Sequence, residues 1–202
     1  MVGGPVVVNT TLGAVRGHTD LHGTASFRGI PFAAPPTHAN RFRPPQPAQP
    51  WTNVRPAIKP ANQCIQLGLL GDEDCLYLDV ASPASCTPTS PCPVMFWLYG
   101  GAFILGSNDE FGFYNPADLA RSQSVVVIAP NYRVSSLGFL ALPQLMRESN
   151  TSGNWATLDQ RAALVWAKAN AAAFGGDPSN ITVWGLSTGA QLVAHLLTCP
   201  LA

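Results

Sequence analysis

Residues 185–189 read Gly185-Leu186-Ser187-Thr188-Gly189, a match to the pattern G-x-S-x-G. A serine between two glycines at this spacing has the makings of a nucleophile that attacks a carbonyl carbon. The glycines would let neighbouring backbone approach without meeting a Cβ. The pattern alone is weak, and its surroundings give it weight. Ile181-Thr182-Val183-Trp184 is a strand-like run ending directly before Gly185, and Gln191-Leu192-Val193-Ala194 begins a helix-like run directly after Gly189. A strand that turns at once into a helix holds Ser187 at the tip of a strained bend. The alternative is a serine that caps the helix following it.

Attack on a carbonyl creates an oxyanion that needs hydrogen-bond donors. Tyr99-Gly100-Gly101-Ala102-Phe103 follows an apolar run at residues 94–98, and its small residues let consecutive N–H groups turn toward one point. Gly101 and Ala102 would supply two donors, and Thr188 a third from the bend itself. An ordinary glycine turn after a strand is the competing reading of this segment.

These residues need a scaffold. Runs of continuous apolar character at residues 76–80, 94–99, 125–129 and 181–184 suit strands covered on both faces. Residues 158–174 carry Leu158, Ala162, Val165, Trp166 and Ala169 at helical spacing, with Gly175-Gly176-Asp177-Pro178 as the stop. A second helix is expected at residues 190–197. Strand, helix and strand in this order make a βαβ unit, so an α/β fold with mostly parallel strands is expected. Upstream, residues 6–8 and 13–17 read as a short hairpin. Nine prolines between Pro31 and Pro60 exclude long helices there.

The chain has 202 residues, enough for one domain with a substantial core, although α/β enzymes often need more. Charged residues make up only 11% and the net charge is zero, which argues against nucleic acid or an acidic membrane surface as partner. No apolar run approaches the roughly 20 residues that span a bilayer. Met1-Val2-Gly3-Gly4-Pro5 has neither the basic nor the apolar part of a signal peptide. Cys64 and Cys75 lie close in sequence, as do Cys86 and Cys92, leaving Cys199 over. This suits two short-range disulfides and an oxidising compartment, five reduced and buried thiols being the alternative. Asn9, Asn150 and Asn180 each open a possible glycosylation sequon.

A resemblance covers almost the whole chain. Phe27-Arg28-Gly29-Ile30-Pro31-Phe32-Ala33-Ala34-Pro35-Pro36, Arg41-Phe42, Glu73-Asp74-Cys75-Leu76-Tyr77-Leu78, Asn131-Tyr132-Arg133-Val134, Leu137-Gly138-Phe139-Leu140, Leu158-Asp159-Gln160 and Phe174-Gly175-Gly176-Asp177-Pro178, together with the serine bend, resemble the type-B carboxylesterases, which include cholinesterases and fungal lipases. The resemblance implies an α/β-hydrolase fold and hydrolysis of carboxylic esters by Ser187, with Gly101, Ala102 and Thr188 around the oxyanion. It also implies a first disulfide between Cys64 and Cys75, ion pairs Arg41 with Glu73 and Arg133 with Asp159, an extracellular location, and neither cofactor nor metal. Three positions depart from the family's usual residues. Leu186 stands where Glu precedes the serine, Thr188 where Ala follows it, and Ala102 where a third Gly follows Gly100-Gly101. Backbone donors survive the last two changes, whereas Leu186 removes a carboxylate beside the reacting centre. The ten residues between Cys64 and Cys75 hold no tryptophan to face a quaternary ammonium, an attraction worth about 0.5–2 kcal/mol. They are also too few to fold over a site, so a small, neutral, soluble ester is expected.

In this fold the triad order is Ser, Asp or Glu, His. Fifteen residues follow Ser187 and none is a carboxylate. His195 lies eight residues on, roughly 12 Å along a helix at 1.5 Å per residue, and His18, His22 and His38 precede the expected sheet. Residues 1–202 are therefore expected to be the N-terminal part of a single carboxylesterase domain whose acid and histidine lie beyond them. Two alternatives are a non-catalytic cholinesterase-like binding module and a product without independent activity.

Overall fold

The computed structural model describes residues 3–68, 70–109 and 116–198, so Cys199 lies outside the described residues. Strands β1 (Pro5–Thr10) and β2 (Gly13–Thr19) pair antiparallel, with Thr10 opposite Gly13. Thr10 Oγ1 closes the turn, donating to Gly13 O (2.7 Å) and accepting from Leu12 N–H (3.2 Å). This is the expected hairpin. Strand β3 (Ala25–Pro31) was not expected, because Arg28-Gly29 interrupts its apolar pattern; its register against β5 (Tyr77–Ser82) shifts between Phe27 and Ile30. A two-residue strand β4 (Arg55–Pro56) runs parallel to β2, and among the described residues the only helical element in the proline-rich stretch is a 3-10 turn at His38–Asn40.

Strand β6 (Cys92–Leu98) is followed by helix α1 (Pro116–Gln123) and strand β7 (Val126–Pro130). Short helices α2 (Ser135–Phe139) and α3 (Pro143–Ser149) then lead to α4 (Trp155–Asn170), β8 (Gly176–Gly185) and α5 (Thr188–Thr198). The sheet order is β1-β2-β3-β5-β7-β6-β8. The sheet is mixed: the strands up to β7 pair antiparallel along this order, whereas β7, β6 and β8 are parallel. The chain leaves β7, crosses through α4 and returns on the far side of β6, which is the expected βαβ crossover. Among the described residues no helix is long and apolar enough to cross a membrane.

Alternation along the strands builds two apolar layers. Val126 and Ile128 face a large core with Ala156, Ala163 and Ala167 of α4 and Leu192 and Leu196 of α5, while Val127 faces Ala120 of α1. Helices thus cover both faces, which is why β7 is buried at every position. Helix α4 starts three residues before the expected residue 158, because Trp155 and Ala156 are core residues. It passes into a 3-10 turn at Ala171–Phe174 that ends on left-handed Gly175. Asn170, at its end, accepts from Thr11 N–H (2.7 Å) and so ties the hairpin turn to α4. Helices α1 to α3 were not expected, being short and poor in apolar periodicity.

Two disulfides are present, Cys64–Cys75 and Cys86–Cys92, with Cα separations of 4.9 and 5.3 Å. Both expected ion pairs form. Arg41 meets Glu73 through two bonds of 2.8 and 2.7 Å at the surface. Arg133 meets Asp159 through Nε (2.8 Å), Nη2 (2.7 Å) and its backbone N–H (3.1 Å), with both side chains buried. Burial pushes the Asp159 carboxyl above its ordinary range, and the Arg133 guanidinium pulls it back. The asparagines of all three sequons are exposed.

Removing one partner of a buried pair leaves an uncompensated charge. Asp159→Ala is expected to lower unfolding stability by about 3–5 kcal/mol in urea titration. Glu73→Ala, at the exposed pair, should cost much less; equal losses would contradict this ranking.

Candidate active site

Strand β8 ends at Gly185 and α5 starts at Thr188, so Leu186 and Ser187 form the whole connection. Ser187 has φ of 53°, in the left-handed region that costs a residue with a Cβ about 1–2 kcal/mol. Backbone bonds hold the bend: Leu186 N–H to Leu98 O (3.3 Å), Gly189 N–H to Leu186 O (2.8 Å), and Ala190 N–H to Ser187 O (3.0 Å). The glycine spacing has a steric cause. A Cβ on Gly185 would lie 2.5 Å from the Gly189 carbonyl carbon, and one on Gly189 would run into Leu98 O and Tyr99 O. The end of β6 presses against the bend at both places.

The helix-cap alternative does not suit this geometry. An N-cap residue has extended backbone, Ser187 is left-handed, and its hydroxyl bonds to no backbone N–H of α5. Ser187 is instead exposed, while Thr188 beside it is buried.

The loop after β6 lies against this serine. A Cβ on Gly100 would be 3.0 Å from Ser187 Cβ and 2.8 Å from Leu186 O. Gly101, Ala102 and Phe103 follow with φ of 130°, 54° and 66°, three positive values in succession. Ile104 and Leu105 N–H both donate to Gly101 O (3.0 and 3.1 Å), curling the loop back on itself. Among the described residues, the N–H groups of Gly101, Ala102 and Thr188 donate to no acceptor. The fold therefore gathers Ser187, Thr188 and the segment carrying Gly101 and Ala102 at one end of β6 and β8. A plain glycine turn would account for Gly101 but not for the close passage of Gly100 beside Ser187.

Sequence reasoning overlooked what holds this loop. Tyr99 and Tyr132 stack with ring centroids 4.1 Å apart and planes 9° apart. Tyr99 Oη donates to Tyr132 O (2.7 Å), and Tyr132 Oη donates to Tyr99 O (2.5 Å). Both rings are fully buried. A buried tyrosine hydroxyl needs a partner, but the sequence does not reveal that the partner is the carbonyl just before Gly100. Asn108 N–H donates to Asn131 Oδ1 (2.9 Å) farther along, fixing the loop's other side to the end of β7.

Leu186, next to Ser187 in the bend, is an exposed apolar side chain, 52% accessible. Among the described residues no histidine or carboxylate bonds to Ser187. His195 sits exposed on α5, and His18 lies on β2, separated from β8 by four intervening strands.

A sheet whose parallel strands carry an exposed left-handed serine at a strand-to-helix bend, faced by a glycine loop from the adjacent strand, defines an α/β-hydrolase. Residues 4–202 match the carboxylesterase family, and the chain belongs to it. A para-nitrobenzyl esterase of Bacillus subtilis (strain 168) is 40% identical over 206 residues, covering 97% of this chain and 41% of the relative. The liver carboxylesterase of Sus scrofa is 38% identical over 221 residues, covering 98% and 38%. Among solved structures, a PNB esterase superposes with a TM-score of 0.90 at 41% identity, over 97% of this chain and 41% of that one. A Geobacillus stearothermophilus carboxylesterase gives 0.88 at 40% identity, over 96% and 41%. The chain thus spans about two fifths of the length of these relatives.

Only glycine relieves a left-handed φ. Ser187→Gly is expected to be more stable than Ser187→Ala by about 1 kcal/mol in denaturant titration; the opposite order would mean that the bend is not strained.

Proposed function

We propose that the chain carries the nucleophile and oxyanion half of a serine carboxylesterase. Ser187 Oγ attacks the carbonyl carbon of a carboxylic ester, and the N–H groups of Gly101, Ala102 and Thr188 receive the negative charge that develops on the carbonyl oxygen. Collapse expels the alcohol and leaves an acyl-serine, which water then cleaves to free the acid. The observation that carries this reading is the exposed, left-handed Ser187 placed against Gly100 of a loop with unengaged N–H groups. Because all three donors are backbone groups, Ala102 and Thr188 serve as well as the family's usual residues would. No cofactor is needed for this chemistry.

The serine's proton needs a base, and a histidine oriented by a carboxylate is the base that this chemistry uses. We place both outside residues 1–202, which then form the N-terminal part of a single domain. His195 is directed to solvent from α5, and the other histidines lie across the sheet or in the N-terminal loops.

Exposed Leu186 beside the serine favours a neutral ester with an apolar part, and the net charge of zero gives no attraction for nucleic acid. The Cys64–Cys75 loop is short and closed by its disulfide, so it leaves the site open to a small substrate. The two disulfides favour an extracellular setting.

Turnover of a p-nitrophenyl ester tests the proposal. Without the base, residues 1–202 should show at most the roughly 10³- to 10⁴-fold acceleration over water that binding and an oxyanion hole supply. Adding a segment that carries the acid and histidine should restore hydrolysis, and Ser187→Ala should abolish it. Activity of the restored enzyme that survives Ser187→Ala would remove Ser187 as nucleophile. Enzyme-like, Ser187-dependent rates from residues 1–202 alone would show that the base is already present.

A further inference from the structure

The four positive-φ positions Gly101, Ala102, Phe103 and Gly106 fall within six residues, and such a backbone persists only where its surroundings over-determine it. Tyr132 and Asn131 fasten the loop from the end of β7. A third fastener comes from an unrelated part of the chain. Gly106 N–H donates to Gln66 Oε1 (2.8 Å), and Gln66 Nε2 donates to Gly106 O (3.0 Å) and to Cys64 O (3.0 Å). One side-chain amide therefore pairs with both polar groups of Gly106, as a neighbouring strand would, and also binds the carbonyl of the disulfide cysteine.

Gln66 is 5% exposed and sits within the loop that the Cys64–Cys75 bridge closes. Its own backbone is fixed by reciprocal bonds with Leu70 (2.8 and 3.1 Å). On its other side Gly106 is packed against the start of the glycine loop. A Cβ there would strike Gly100 O and come within 2.5 Å of the Tyr99 ring. A continuous path of contacts thus runs from the disulfide through the Gln66 amide and the Gly106 backbone to the carbonyl of Gly100, whose peptide carries the Gly101 N–H.

We propose that Gln66 is a positioning residue that ties the disulfide-closed loop to the Gly100–Gly106 segment and so fixes the direction of its N–H groups. The catalytic consequence rests on the reading of Gly101 and Ala102 as oxyanion donors. The chemistry of the site explains the residue type: only a side-chain amide offers donor and acceptor together at that reach. Methionine keeps the volume and loses all three bonds, whereas glutamate keeps the acceptor for Gly106 N–H and faces two carbonyls with no donor.

Hydrogen exchange followed by mass spectrometry on the intact protein reads the tie directly. Gln66→Met should raise exchange of the hydrogen-bonded amides of Ile104, Leu105 and Gly106 by about 10-fold or more, with β5 and β7 unchanged. Gln66→Glu, which sets a buried carboxyl against the Cys64 and Gly106 carbonyls, should give the same local pattern with at least equal amplitude, and reduction of Cys64–Cys75 should reproduce it. A control change at Ile65, in the same loop but outside the amide pairing, should leave the amides of residues 104–106 protected. Unchanged exchange in residues 104–106, or an equal rise throughout the chain, would overturn the tie. In the active enzyme, Gln66→Met should lower kcat about 10-fold with KM unchanged and weaken a trifluoromethyl ketone, which mimics the tetrahedral adduct, by the same factor. A loosened loop with kcat and ketone affinity intact would overturn the positioning role. Absence of Ser187-dependent turnover in the parent protein would instead strike the esterase reading and leave the exchange result to decide the tie.

Discussion

The carbonyl end of β6 and the bend after β8 lie so close that no side chain fits between them. Leu98 O accepts the Leu186 N–H, and together with Tyr99 O it occupies the space that a Cβ at Gly189 would need. That contact fixes the direction in which α5 leaves the sheet, leaves Ser187 in a left-handed conformation and turns it outward. It also sets the start of the glycine loop, because the chain that makes the contact at Leu98 and Tyr99 continues directly into Gly100. Ser187 and the glycine loop are thereby positioned by a single backbone packing rather than by separate elements brought together by side chains.

Two buried polar pairs hold the segment that packs against this contact. In a chain with 11% charged residues, the Arg133–Asp159 pair and the Tyr99–Tyr132 pair lie one residue apart along the segment after β7. One locks that segment to α4 and the other locks it to the glycine loop. Each would be costly to half-remove, since the remaining partner has no water to turn to. Precision at the site thus derives from the same short stretch of backbone that anchors the largest helix.

Much of this was legible in the sequence where the signal was local. Continuous apolar runs marked β5 to β8, the helical spacing marked α4, and the bend at Ser187 was visible from strand and helix patterns that abut it. Boundaries shifted where tertiary packing decided them: Trp155 extended α4 because it is buried, and β8 begins at Gly176 through its pairing with Cys92. Strand β3 was missed because its two ends face the core while Arg28 and Gly29 between them turn to Asp79. Gln66 and Tyr132 were beyond reach for a different reason. Their importance lies in the backbone atoms that they meet, and those atoms carry no residue-type signature.

The bond from Thr11 to Asn170 joins positions 159 residues apart, and it places the first hairpin in debt to a helix made much later. At a synthesis rate of 5–20 residues per second, β1 and β2 wait on the order of 10–30 s before the residue that receives their turn leaves the ribosome. Through that interval Val6 and Val8 lack the apolar cover that they have in the finished sheet. The turn of this hairpin therefore gains its side-chain acceptor only after α4 has been made.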